Sequence, residues 1–116
     1  MGYVIIDLEF NNMQNITKFY PNIYNEQKDL KELDSYNEII EIGAIKLNKF
    51  MQEVDEFKTY IKPSVFKVLN PKIIDITGIT EDHLKDGIKF EDAMDNLKDF
   101  IGEDDILPGL LMTLFT

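Results

Sequence analysis

No cysteine occurs among the 116 residues, so this chain can form no disulfide and offers no thiolate nucleophile or ligand. A composition of this kind suits the reducing cytosol. Positive charge is scarce. Twelve basic residues face 22 acidic ones, and the net charge of −10 repels a phosphate backbone and argues against simple electrostatic attachment to nucleic acid. Any polyanionic partner needs metal ions as mediators. The opening MGYVIIDLEF lacks the basic lead and the long uncharged run of a secretory signal, and Ile6 spoils the myristoylation pattern after Gly2. The apolar run ILPGLLMTLF falls far short of the roughly 20 residues of a membrane helix, and Pro108 and Gly109 interrupt it. A soluble, cytoplasmic protein without membrane contact is expected. Low-complexity tracts, internal repeats and credible linkers are lacking as well.

What is present is enough for one globular domain. Hydrophobic residues make up 44% and aromatics 11%, and a chain of this length has room for a single core. Tyr3 to Phe10 reads as a strand, apolar on both faces up to Asp7, the pattern of a central strand covered on both sides. Asn11 to Asn37 is a polar surface loop with Pro21 as breaker and a short helix around Asn25 to Leu33. Glu38 to Asn48 suggests a second strand with a close backbone approach at Gly43, and KFMQE a hairpin connection. Asp55 to Lys62 alternates as a strand nearer an edge and stops at Pro63. Pro71 to Ile76 and the segment after Thr80 predict short helices, with Thr80 as N-cap, acidic Glu81 and Asp82 in the first turn and Gly87 at the end. Phe90, Ala93, Met94, Leu97 and Ile101 recur at helical spacing, with Gly102 just past them, so Phe90 to Ile101 is a helix. A new apolar run starts at Ile106. The order predicts an α/β fold: a three-stranded antiparallel meander, helices, and the start of a fourth strand parallel to the first.

Side chains two apart on a strand share a face, so Tyr3, Ile5, Asp7 and Glu9 point one way and Val4, Ile6, Leu8 and Phe10 the other. Burying two like charges together costs several kcal/mol unless something neutralises them, and no adjacent Lys or Arg is at hand. A divalent cation resolves the conflict: oxygen donors on a rigid strand suit Mg²⁺ or Mn²⁺, which keep waters and accept substrate phosphate. The pair alone leaves two readings open, a metal site and two side chains that merely reach water at a strand end. Glu41 is expected to be exposed on its strand, and His83, the sole histidine, to be a surface residue.

Taken in order, VIIDLEFNN, EIIEIGAIKLN, YIKPSVFKVLN and DITGIT with its acidic helix resemble the amino-terminal half of the DEDD-type 3′-to-5′ exonucleases, the DnaQ-like group of the ribonuclease H-like fold. Within it they look most like the branch of histone-mRNA and small-RNA exonucleases. The resemblance covers Tyr3 to Leu107. It implies that Asp7 and Glu9 are catalytic and the first two of four acidic metal ligands, with Asp7 bridging two Mg²⁺ or Mn²⁺ ions. It further implies a nucleic-acid partner, the 3′ end of RNA or single-stranded DNA, with Leu8, Phe10 and Asn11 bordering the terminal nucleotide and Ile79 and Thr80 lining the pocket for its base. Thr80 as a plain helix cap is compatible with that role.

The family pattern also has a third acid after a fourth strand and, far downstream, a histidine with a fourth acid; none of these is found in the sequence. Pro108 makes ILPGLLMTLF a poor central strand. Read from the G of the Met112 codon, Met112 and Thr113 encode GAC, an Asp. The same frame gives Trp at the junction of Pro108 and Gly109 if the proline codon ends in T, four residues before that Asp, as the branch requires. A frameshift between about Asp104 and Pro108 is therefore expected, which makes residues 1–116 a partial, truncated exonuclease domain of low activity. The alternative is a non-catalytic remnant or binding module that self-associates through an open sheet edge.

Overall fold

The computed structural model describes residues 2–108. Strands β1 (Tyr3–Asn11), β2 (Glu38–Leu47) and β3 (Glu53–Tyr60) form an antiparallel sheet in the order β1-β2-β3, as the meander expectation required. β2 lies in the middle, and β1 pairs beyond β2 only through a parallel bridge from Tyr3 to Ile106 among the described residues. There the Ile106 N–H donates to the Gly2 carbonyl at 2.8 Å and the Val4 N–H to the Ile106 carbonyl at 3.0 Å, so the expected parallel start of a further strand is in place. Asp105 anchors it, accepting from the Gly102 N–H at 2.7 Å and pairing with Lys46 at 3.1 Å. The continuation, including the codons of Met112 and Thr113 on which the frameshift expectation rests, lies outside the described residues.

One face of the sheet is covered. Val4, Ile42, Ala44 and Ile61 pack against Ala93, Met94 and Leu97, which share one stripe of helix α4 (Phe90–Phe100). The other face of β1 stays open, with Ile5 42% exposed, which corrects the reading of β1 as covered on both sides. Run length told strand from helix there but could not count the layers above it.

A bulge lets β2 serve two cores. Glu9 faces Glu41, but Phe10 faces Ile39, so Ile40 is an extra residue on β2. Ile42 and Ala44 stay with α4, while Ile40 joins Leu69, Ile79 and Leu84 beneath helices α2 (Pro71–Thr77) and α3 (Glu81–Lys85). A third cluster of Met13, Ile16, Ile23, Leu30 and Phe66 sits in the polar excursion. That segment is therefore more than a surface loop, and its helix is split into α1 (Ile23–Glu26) and a 3-10 turn at Lys28–Leu33. Its apolar residues are spaced too irregularly for one amphipathic helix, so their shared burial shows only in three dimensions.

Buried polar groups tie these parts to the end of β1. Glu38, 6% exposed, accepts from the N–H groups of Ser64, Val65 and Phe66 at 2.9, 2.8 and 3.0 Å. Asn70 donates to the Asn12 and Gln14 carbonyls at 3.0 and 2.9 Å and caps α2 through the Lys72 N–H. Gly87 is required where it stands, because a Cβ there would come within 2.7 Å of the Lys62 nitrogen and 2.8 Å of the Ile61 carbonyl carbon. Gly43 is different: a Cβ would lie 3.8 Å from the Asp7 carbonyl oxygen, ordinary contact, so the expected close approach does not occur. β3 also runs two residues earlier than expected and ends at Tyr60, where Ile61 bridges to Ile88.

Candidate active site

Residues directly opposite one another in an antiparallel pair share a face, so the register sets the composition of the open side. Its rows are Ile5, Ile45 and Glu56; then Asp7, Gly43 and Lys58; then Glu9, Glu41 and Tyr60. Asp7 is exposed, while Glu9 and Glu41 are half-buried. Because Gly43 has no side chain, the second row is a groove of about 240 Å³ with Asp7 on one bank and Lys58 on the other.

Two expectations need correction here. Glu41 is half-buried rather than exposed, and the regular register of β1 on β2 sets it across from Glu9. A lysine is present after all, since Lys58 stands in the row of Asp7. Both follow from strand register, which a single strand read alone does not contain. The alternation of β3 was the usable signal: counted back from the hairpin it puts Lys58 and Tyr60 on one face.

The electrostatics follow from this crowding. Partial burial first, and then the charges of Asp7 and Glu41, raise the pKa of Glu9 above its ordinary 4.5. The carboxylate of Glu41 first, and then a hydrogen bond with Tyr60, raises that of Lys58 above 10.5. Among the described residues Lys58 forms no direct ion pair, and its Nζ lies 5.3 Å from the centre of the Tyr60 ring.

The donor set fits a weakly held, hard divalent cation. Among the described residues no three His, Cys, Asp or Glu side chains converge closely enough to hold a metal ion unaided. The carboxylate oxygens of Asp7 and Glu9 accept no hydrogen bond from the described residues, so their lone pairs are free. Two open carboxylates, with a third raising their mutual repulsion, match Mg²⁺ or Mn²⁺, which take most of their shell from water and substrate, rather than the closed tetrahedra of structural zinc.

The other candidates are placed differently. Leu8 points to the α4 side and packs on that core, and Phe10, 37% exposed, lies beside Phe90 on the same side. Only the backbone of that stretch borders the carboxylates. Asn11 is 1% exposed, and its side chain is engaged with the Val68 carbonyl and the Asn70 N–H at 3.0 and 3.1 Å. Ile79 is 3% exposed in the α2–α3 core. Thr80 is the N-cap residue of α3. His83 is exposed, as expected, with Nδ1 accepting from the Thr80 N–H at 3.0 Å.

Known proteins resemble this chain in fold and in sequence. A structure of the nuclease domain of 3′hExo, described as a DEDDh family member and bound to rAMP, superposes with a TM-score of 0.68 at 24% identity, over 91% of this chain and 50% of that one. A 3′-exonuclease in a structure of 3′-end-specific recognition of histone mRNA stem-loop gives 0.67 at 24%, covering 91% and 44%. Cell-death related nuclease 4 gives 0.64 at 16%, covering 91% and 33%. At these identities the likeness shows the ribonuclease H-like exonuclease fold. By sequence, the PolC-type DNA polymerase III of Bacillus subtilis is 35% identical over 60% of this chain, and that of Halalkalibacterium halodurans 37% identical over 59%. The chain spans only 5% and 4% of the length of those polymerases. The exonuclease model of the RNase T family matches residues 4–113, all but the first and last three residues of the chain, and to that exonuclease family this chain belongs.

Proposed function

We propose that the chain supplies the Asp7 and Glu9 arm of a metal-dependent 3′-to-5′ exonuclease site acting on RNA or single-stranded DNA. The observation that carries this reading is the row structure of the open face, in which Asp7 borders a groove and Glu9 and Glu41 stand opposite each other in the next row. Family membership supports the same chemistry. Asp7 and Glu9 would hold the cations, with Asp7, the more exposed, nearer the incoming phosphate. Bound Mg²⁺ or Mn²⁺ supplies Lewis acidity and a water of lowered pKa. The residues themselves do the rest. β1 fixes both carboxylates on one rigid strand, Gly43 leaves room for a sugar-phosphate, and the half-burial of Glu9 limits competing water. Because the chain covers half or less of the solved relatives, full turnover is expected to need groups beyond these.

The test is degradation of a 5′-labelled oligonucleotide in Mn²⁺. One-nucleotide shortening from the 3′ end that is abolished by Asp7→Ala and by chelation supports the proposal; shortening that survives Asp7→Ala ends it. A second reading, a binding module that self-associates, rests on the edge of β1, which among the described residues is paired only at the Ile106 bridge. Concentration-dependent oligomers without turnover would favour it.

A further inference from the structure

The open face continues past the carboxylates. Tyr60 stands in the row of Glu9 and Glu41, roughly 10 Å from Glu9 at the normal spacing of strands. The ring of His83, projecting from α3, lies flat on Tyr60, with centroids 5.1 Å apart and planes at 12°. Lys58 Nζ is 5.3 Å from the Tyr60 centroid. Tyr60 packs in part on the core beneath α2 and α3, but His83 and Lys58 are exposed, and metal binding does not account for their places on its ring.

His83 is the informative member. Its Nδ1 takes the Thr80 N–H at 3.0 Å and lies 3.3 Å from the Thr80 hydroxyl, so the neutral ring carries its proton on Nε2. The ring is thus fixed from behind by a cap and from one side by Tyr60, and the residue is still exposed. Glutamine or glutamate would serve the cap equally well. What histidine adds is a flat π surface held in place before any ligand arrives.

We infer that Tyr60 and His83 form a stacking platform for a nucleobase of the single-stranded nucleic acid whose 3′ end enters the carboxylate groove, and that Lys58 holds a phosphate of the same strand. The inference rests on the function proposed above and adds a substrate-positioning surface to it. Stacking suits a strand of any sequence, since every base has a π face. A lysine on an acidic face marks where a backbone phosphate can sit without a cation.

The cap and the platform make opposite demands on position 83, so two substitutions separate them. His83→Phe keeps a ring and loses the acceptor; His83→Gln keeps the acceptor and loses the ring. Binding of short 5′-fluorescein-labelled oligouridylate and oligothymidylate to the full chain is measured by anisotropy in Ca²⁺, at a temperature where circular dichroism shows every variant folded. His83→Phe is expected to bind within about two-fold of the parent, and His83→Gln to weaken binding about five-fold or more. Lys58→Gln should weaken both oligonucleotides and make log K about 0.7 less steep in log salt. Full affinity in His83→Gln with loss in His83→Phe would reduce His83 to a cap and overturn the platform. Unchanged affinity in both His83→Gln and Lys58→Gln overturns it as well. If Asp7→Ala still abolishes Mn²⁺-dependent shortening in that case, the cleavage reading stands without the platform; if the parent chain neither binds nor cleaves, both fall together.

Discussion

Glu9 is the residue on which the electrostatic account can be checked without any turnover. Its pKa is raised by burial and by Asp7 and Glu41, so the folded state holds the proton more tightly than the unfolded chain does. The stabilising contribution of protonation is therefore complete below the ordinary value of 4.5 and lost as pH rises through the higher folded value. At pH 7 in EDTA the ionised carboxylate works against the fold. Glu9→Gln should then raise the melting temperature by about 1–3 °C, a small figure because water screens a half-exposed group. Two further signs must accompany it: the gain shrinks as the pH is lowered through the raised folded value and is gone below 4.5, and Mn²⁺ stabilises the parent more than the variant. Differential scanning calorimetry at two pH values, with and without Mn²⁺, reads all three. A variant that melts lower than the parent in EDTA would show that Glu9 is not under repulsion.

At the scale of elements, the sharpest constraint is where α3 ends against β3. The Cβ of Ala at position 87 would come within 2.7 Å of one backbone atom, 2.8 Å of another and 3.0 Å of the Leu84 carbonyl oxygen, none of them a flexible side-chain end. Gly87→Ala should cost about 1–3 kcal/mol, read as a lower urea midpoint at unchanged slope. Since Ile61 and Ile88 bridge at this junction, the Tyr60–His83 stack should loosen with it. The helix α4 and the meander were legible beforehand because each carries a period, 3.6 or 2, over many residues. The pairing of Asp7 with Glu9 was legible for the same reason, both being on one strand. Glu41 and Lys58 were not, because their place depends on the register of β1 on β2 and of β2 on β3, the latter shifted by an irregularity between Lys46 and Leu47. Nor was the role of Glu38, whose three backbone donors come from residues 26 to 28 positions downstream. The core of the polar excursion stayed hidden because Met13, Ile16, Ile23 and Leu30 meet Phe66 only through the fold.

At the scale of the whole molecule, net charge decides how nucleic acid can be held. A basic protein that makes 6–10 phosphate contacts loses about 10³–10⁵ in affinity between 50 and 200 mM salt, because each contact releases condensed counterions. This chain carries a net charge of −10 and, on the face described, a single lysine in the row of Asp7. Its long-range field therefore opposes the approach of a strand, and raising the salt screens that repulsion while it weakens the local contact. With one or two phosphate contacts on a single strand, the same rise in salt should lower affinity by about ten-fold at most. In EDTA, where the carboxylates lie bare toward the phosphates, the dependence should flatten further or change sign. Anisotropy titrations of the labelled oligonucleotides across that salt range, with Ca²⁺ and with EDTA, measure both slopes. A thousand-fold loss would mean that an extended basic surface holds the strand, and would move substrate recognition away from the open face of β1, β2 and β3.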